Sequence, residues 1–91
     1  MNAWIATKDP TKIAEVADRI AEQAPERLTE VDGDREFAVW LLGVDRKIRR
    51  YTGVEHRDLP DWQWRAAYDD DLSPADAAAA AIAHWIEFGD L

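Results

Sequence analysis

The sequence predicts an all-α fold, a small bundle of about four helices. Apolar residues recur at helical spacing in four segments, and each segment follows an aspartate or serine suited to an N-cap. We find no pair of segments with the alternating pattern of β-strands. The chain has 91 residues, the length of one domain, so we expect residues 1–91 to form a single helical domain.

The first predicted helix covers residues 10–24. Asp9 suits the N-cap, and Pro10 suits the first helical position, where a missing N–H removes no hydrogen bond. Pro25 ends the helix. One face is apolar, with Ile13, Val16, Ala17, Ile20, Ala21 and Ala24. Residues 25–31 could add a short helical turn, and residues 1–8 fit either an extended arm or part of a helix.

The second predicted helix covers residues 34–52, with Asp34 as its N-cap. Its first half is apolar nearly all round, which indicates a central position. Gly43 weakens such a helix by about 1 kcal/mol relative to alanine, so we expect a neighbouring helix to approach it closely. Gly53 is typical of the residue that follows a helix. The apolar stripe contains Phe37, Leu41, Val44, Ile48 and Tyr51, widened by Trp40.

The remaining two helices are predicted at residues 62–69 and 74–88. Asp61 suits the N-cap of the first. Ser73, followed by Pro74, suits the start of the second. Gly89 should end the chain's last helix. The expected buried face of this helix carries Ala78, Ala81, Ile82 and Trp85.

The net charge is −8 and is unevenly spread. Residues 45–57 carry +3, and residues 58–91 carry −7. A negative domain repels phosphates, so we expect no direct nucleic-acid binding. The basic cluster Arg46, Lys47, Arg49 and Arg50 suits the C-terminal end of a helix, and Asp45–Arg49 is an i,i+4 pair. The expected acidic surface contains Asp58, Asp61, Asp69, Asp70 and Asp71.

Residue types that carry catalysis or bind metals are sparse. There is no cysteine, which excludes disulfides, thiolate zinc sites and thiol catalysis. His56 and His84 lie in different elements, and Ser73 is the only serine. The acids at 69–71 do not match the spacing of a calcium loop. We therefore expect no enzyme activity, no metal and no cofactor. With no apolar run of about 20 residues and no secretion signal, we expect a cytoplasmic protein that does not contact membranes.

A group of motifs in the second half of the chain carries a family resemblance. They are Val44-Asp45, Thr52-Gly53, Asp58-Leu59-Pro60-Asp61, Ala67-Tyr68-Asp69-Asp70 and Ser73-Pro74. This pattern resembles small proteins of actinobacteria and of their phages and mobile elements, which read "VD…TG…DLPD…AYDDG-SP-EAA". The resemblance implies an origin rather than an activity. Asp71 departs from it, because the pattern has glycine there, a residue suited to a left-handed turn.

Tryptophan is the most unusual feature of the composition, with five in the chain. Trp62 and Trp64 are two residues apart, so on one helix they would point about 200° apart, and one would face a surface. Tryptophan is enriched at interface hot spots. We therefore expect a protein-interaction module that binds another protein or a second copy of this chain through Trp62 and Trp64, with Ile86 and Phe88 second. The alternative is an acidic mimic of nucleic acid that inhibits a nuclease or another DNA-binding protein.

Overall fold

A computed structural model describes residues 2–59 and 62–88, and this part of the chain is helical with no β-strand. The predicted all-α class is confirmed. Two short helices that the sequence left open, α1 and α3, accompany the four expected ones. The helices are α1 (Ala3–Ala6), α2 (Pro10–Gln23), α3 (Pro25–Glu30), α4 (Arg35–Thr52), α5 (Trp64–Asp69) and α6 (Pro74–Phe88), with a 3₁₀ turn at His56–Asp58.

Helix α4 is the central element, as its apolar sequence predicts. It packs against α2, α3, α6 and the 3₁₀ turn. Trp40, Val44 and Ile48 are fully buried along it. The predicted buried stripe of α4 is wrong at its C-terminal end, because Tyr51 is 75% exposed. The buried stripe stops at Ile48, and Tyr51 lies one turn beyond it at the edge of the core.

The predicted ends of the three long helices, α2, α4 and α6, agree with the structure to within one residue. The Asp9 and Asp34 carboxylates accept hydrogen bonds from Thr11 N and Phe37 N. Asp76 N donates to the Ser73 hydroxyl at 3.1 Å. Gly53 has a φ of 77° and follows α4 in the left-handed conformation. Local side chains therefore start each long helix where the sequence indicates.

The N-terminal residues form a helix and are fixed to the core. The buried Asn2 side chain caps α1 by accepting from Trp4 N at 2.8 Å. Its amide donates to the carbonyls of Tyr68 and Leu72 at 2.7 and 3.0 Å. The Trp40 indole N–H also donates to Leu72 O, at 2.9 Å. One carbonyl thus joins the N-terminus and α4 to the loop before α6.

Two backbone positions explain how closely these elements pack. A Cβ on Gly43 would lie 3.1 Å from the Pro74 ring, so the absence of a side chain lets the start of α6 approach α4. Asp71 has a φ of 64°, the left-handed conformation that the family pattern fills with glycine. Its carboxylate accepts a hydrogen bond from Ala3 N at 2.9 Å, which compensates for the backbone cost.

Helix α5 begins two residues later than predicted. Trp62 precedes the helix, and Gln63 occupies its N-cap without a side-chain hydrogen bond. The premise that both tryptophans lie on one helix and point apart is therefore wrong. The predicted cap at Asp61 and the predicted end at Gly89 lie outside the described residues.

Candidate functional site

One side of α4 carries an ion cluster whose centre is buried; we call Arg27, Glu30, Asp45 and His56 the buried ion cluster, although Arg27 is half-buried and Glu30 is at the surface. Asp45 is 1% exposed and His56 is 4% exposed. Asp45 Oδ1 lies 2.7 Å from His56 Nδ1 and accepts from His56 N at 2.8 Å. Its other oxygen accepts from the Arg27 guanidinium at 2.5 Å. Glu30 Oε1 lies 2.7 Å from His56 Nε2, so the cluster joins α3, α4 and the 3₁₀ turn.

Opposing effects set the protonation states in the buried ion cluster. Burial alone would raise the pKa of Asp45, but hydrogen bonds from His56 and Arg27 outweigh it and lower that pKa. Burial alone would lower the pKa of His56, but hydrogen bonds and charge from Asp45 and Glu30 outweigh it and raise that pKa. The geometry therefore favours the charged imidazolium between two carboxylates.

The buried ion cluster joins three elements and is suited to holding them together. An imidazolium between two carboxylates has both nitrogens protonated, so it offers no lone pair to a metal or a substrate proton. Among the described residues, no group of three or more histidines or acids could hold a metal ion. The predicted Asp45–Arg49 pair is wrong, because Asp45 turns inward to Arg27 and His56, and Arg49 pairs with Glu55 instead.

The two predicted interface tryptophans lie beside the buried ion cluster. Their rings meet edge to face with centroids 6.1 Å apart, and both are half-buried. The Trp64 ring also contacts the His56 ring, with centroids 5.9 Å apart. The Trp62 ring contacts the His84 ring of α6, with centroids 5.4 Å apart. The Trp62 indole nitrogen is buried and has no hydrogen-bond partner in the described part of the chain. Much of both side chains is therefore used in packing within the chain.

The other side of α4 and α6 forms an open apolar groove. Its volume is about 580 Å³, and its two exposed large apolar side chains are Tyr51 and Ile86, at 75% and 60% exposure. We call it the α4–α6 groove; its lining residues are Lys47, Tyr51, Thr52, Ala75, Ala78, Ala79, Ile82, Ala83 and Ile86. None of these lining residues is acidic, although the protein is strongly acidic.

The predicted interface residues thus fall on different sides of α6. His84, which contacts Trp62, and Ile86, which lines the groove, are two residues apart and hence about 200° apart around the helix. Of Phe88 the structure describes only the backbone at the end of α6. The structure therefore joins Trp62 to Trp64 but does not join either to Ile86.

Three cations lie at or next to one edge of the α4–α6 groove, and of these Lys47 lines the groove itself. Lys47 and Ala75 line both the groove and an adjoining hollow, which Arg46 and Arg50 also line. Arg46, Lys47 and Arg50 are exposed, and none forms an ion pair with any residue that the structure describes. We call these three residues the basic rim. Its charge is available to a partner.

The predicted acidic residues that the structure describes are all exposed, and most of them also form contacts within the chain. Asp58 accepts a hydrogen bond from Glu55 N at 3.1 Å, and Asp71 accepts from Ala3 N. Asp69 pairs with Arg65 at 3.3 Å. Asp70 is exposed at the end of α5, and Asp61 lies outside the described residues. Three of the five acids therefore form contacts within the chain.

Sequence reasoning missed Tyr51 and the groove alanines. Tyr51 was assigned to the buried stripe because its spacing from Ile48 fits one face of a helix. A signal for the groove was present, since α6 carries a continuous run of alanines at 77–81 that a single buried face does not require. That run predicts a helix that is apolar on more than one side.

The fold and these surfaces define a small all-helical protein with a structural ion cluster and an open apolar groove. The chain belongs to the family of the Gene 87 proteins of Mycobacterium phages D29 and L5. It is 40% identical to the D29 protein and 38% identical to the L5 protein, each over 48 residues. Those residues are 53% of this chain and 89% and 91% of the two relatives.

Membership of this phage protein family agrees with the resemblance to phage proteins that the motifs in the second half of the chain show. No family model matches the chain, and no solved structure matches it. Within the described residues, no helix is both long and apolar enough to cross a membrane.

Proposed function

We propose that this phage-family protein is a protein-binding module whose contact surface is the α4–α6 groove. The observation that carries the proposal is the exposure of Tyr51 and Ile86 at the walls of an alanine-lined groove. Apolar side chains of this size gain free energy when a partner covers them, about 25 cal/mol for each Å² removed from water. Grooves between two helices are a common seat for a partner helix.

The proposal places the contact on a different surface from the tryptophans that the sequence favours. Trp62 and Trp64 already contact each other, His56 and His84. Such rings gain less from a partner than Tyr51 does, since part of their surface is already covered. The acidic-mimic alternative is weaker for a similar reason, because Asp58, Asp69 and Asp71 are engaged within the chain.

A matched pair of substitutions on α6 tests the proposal. Ala79 and Ala80 are neighbouring exposed alanines, and only Ala79 lines the groove. Ala79→Asp and Ala80→Asp add the same charge to the same helix, so they should affect helix stability alike. Each tagged variant is used to capture proteins from a mycobacterial lysate, and bound proteins are identified by mass spectrometry.

We expect the wild type and the Ala80→Asp variant to retain the same partner, and the Ala79→Asp variant to lose it while remaining helical by circular dichroism. Equal retention by all three proteins would reject the groove as the contact surface. Loss with both variants while folding is intact would point to general charge repulsion and would also count against it.

A further inference from the structure

We infer that the occupant of the α4–α6 groove is an acidic amphipathic helix of a partner protein, an inference that rests on the function proposed above. The groove joins an apolar floor to a basic rim within a protein of net charge −8. An apolar groove favours a partner helix that has an apolar face. The unpaired cations beside the groove favour carboxylates that flank this face of the partner helix.

The floor of the groove suits a helix better than a loop. Four of its lining residues are alanines on α6. Small side chains let two helix axes approach toward the short end of the usual 8–10 Å range. From Ala75 to Ile86 the floor extends about 17 Å at 1.5 Å per residue, which matches about three turns of a docked helix. Such a helix would present apolar anchors at positions i, i+4 and i+7.

The basic rim supplies the charge selection. Arg49 pairs with Glu55, whereas Arg46, Lys47 and Arg50 have no ion-pair partner in the described structure. The groove itself contributes no carboxylate to neutralise them. Carboxylates on the partner would therefore meet exposed cations that have no ion-pair partner within the described chain.

The same rim disfavours a second copy of this chain as the occupant. A two-fold symmetric dimer places one surface patch against itself. The α4–α6 groove of one copy would then meet the same groove of the other, and neither groove contributes a carboxylate that could pair with Lys47 of the facing copy. A second copy would therefore leave the basic rim without charge partners.

The test uses a display library of helical peptides of about 14 residues, long enough to fill three turns. Leucine is fixed at i, i+4 and i+7, and the flanking positions are randomised. Peptides are selected on the wild-type protein and counter-selected on the Ala79→Asp variant, so that only binders of the groove survive. The selected peptides are sequenced and their affinities measured by titration calorimetry.

We expect aspartate and glutamate to be enriched over lysine and arginine at one flank. The Lys47→Glu variant should weaken the selected peptides about fivefold, since one surface pair is lost and one repulsion is gained. The matched Lys12→Glu variant reverses an exposed lysine on α2, away from the groove, and should leave affinity unchanged. Circular dichroism confirms that both variants remain folded.

Enrichment of basic or uncharged flanks, or an empty selection, would overturn the inference. So would equal weakening by both lysine variants. Self-association of the wild type that the Ala79→Asp variant abolishes, measured by sedimentation, would assign the groove to a second copy instead. If the lysate partner depends on Ala79 but the flanks are not acidic, the proposed function stands and this inference fails.

Discussion

The two sides of helix α4 distribute charge and apolar surface in opposite ways. On one side, Asp45 and His56 are titratable groups buried in the interior, and their side-chain polar atoms all have partners. On the other side, the Tyr51 ring is exposed to water, and the Lys47 ammonium group has no ion-pair partner in the described structure. The comparison separates two roles: groups satisfied within the chain hold the fold together, and groups left unsatisfied are free for a partner.

The largest expected effect comes from removing the centre of the buried ion cluster. Asp45→Ala would remove the buried carboxylate that links Arg27 to His56, which should cost about 3 kcal/mol of unfolding free energy. Urea denaturation measures this loss of unfolding free energy. Asp18→Ala is the control, because Asp18 pairs with Arg35 at the surface and should cost less than about 1 kcal/mol. Equal losses of unfolding free energy in the two variants would contradict the expected difference between the buried and the exposed ion pair.

The same cluster predicts a pH dependence of stability. The pKa of His56 is raised in the folded state, so its contribution is complete below the unfolded value of about 6.5 and is lost as the pH rises through the folded value. The pKa of Asp45 is lowered, so its contribution is lost only in acid. The urea midpoint should therefore fall as the pH rises above about 6.5 and through the raised pKa of His56. His56→Gln should flatten this slope; a wild-type midpoint that rises over this range would contradict a charged His56.

A smaller effect is expected where α6 meets α4. In an open helix, Gly43→Ala would stabilise by about 1 kcal/mol. Here the new methyl group would lie 3.1 Å from the Pro74 ring, and Pro74 is buried and rigid. We expect a net loss of about 1 kcal/mol, measured by urea denaturation, because overpacking outweighs helix propensity. A gain in stability would show that α6 can move away from α4, and the groove would then be adaptable rather than preformed.

The smallest effect on stability is expected in the α4–α6 groove. Tyr51→Ser and Ile86→Ser should each change the unfolding free energy by no more than about 0.5 kcal/mol, because both side chains are mostly exposed. The same two variants should weaken partner binding in the lysate assay. A large loss of stability with either would mean that the groove wall serves the fold, and the contrast between the two sides of α4 would disappear.

The sequence predicts the helices well because their signals are local. Caps at Asp9, Asp34 and Ser73 and the glycine after α4 can be identified from neighbouring residues alone. The left-handed position at 71 was also indicated, through the glycine that the family pattern has there. The Asp71 carboxylate accepts a hydrogen bond from Ala3 N, which lies 68 residues away in the chain. No local sequence pattern indicates this contact.

The sites could not be predicted in the same way because they depend on contacts between distant residues. The helical spacing of Asp45 and Arg49 indicated a surface pair, but Asp45 is buried against Arg27 and His56, 18 and 11 residues away. The α4–α6 groove likewise depends on which side of α6 faces α4. The periodicity of an alanine-rich helix defines that side poorly, because alanine fits both buried and exposed positions.

Photo-crosslinking tests the central claim most directly. A benzophenone-bearing amino acid replaces Tyr51 at the groove wall in one variant and Ala80, outside the groove, in another. After irradiation with the captured partner, we predict a covalent adduct from position 51 and little or none from position 80. Adducts from position 80 alone, or equal yields from both positions, would contradict the assignment of partner binding to the α4–α6 groove.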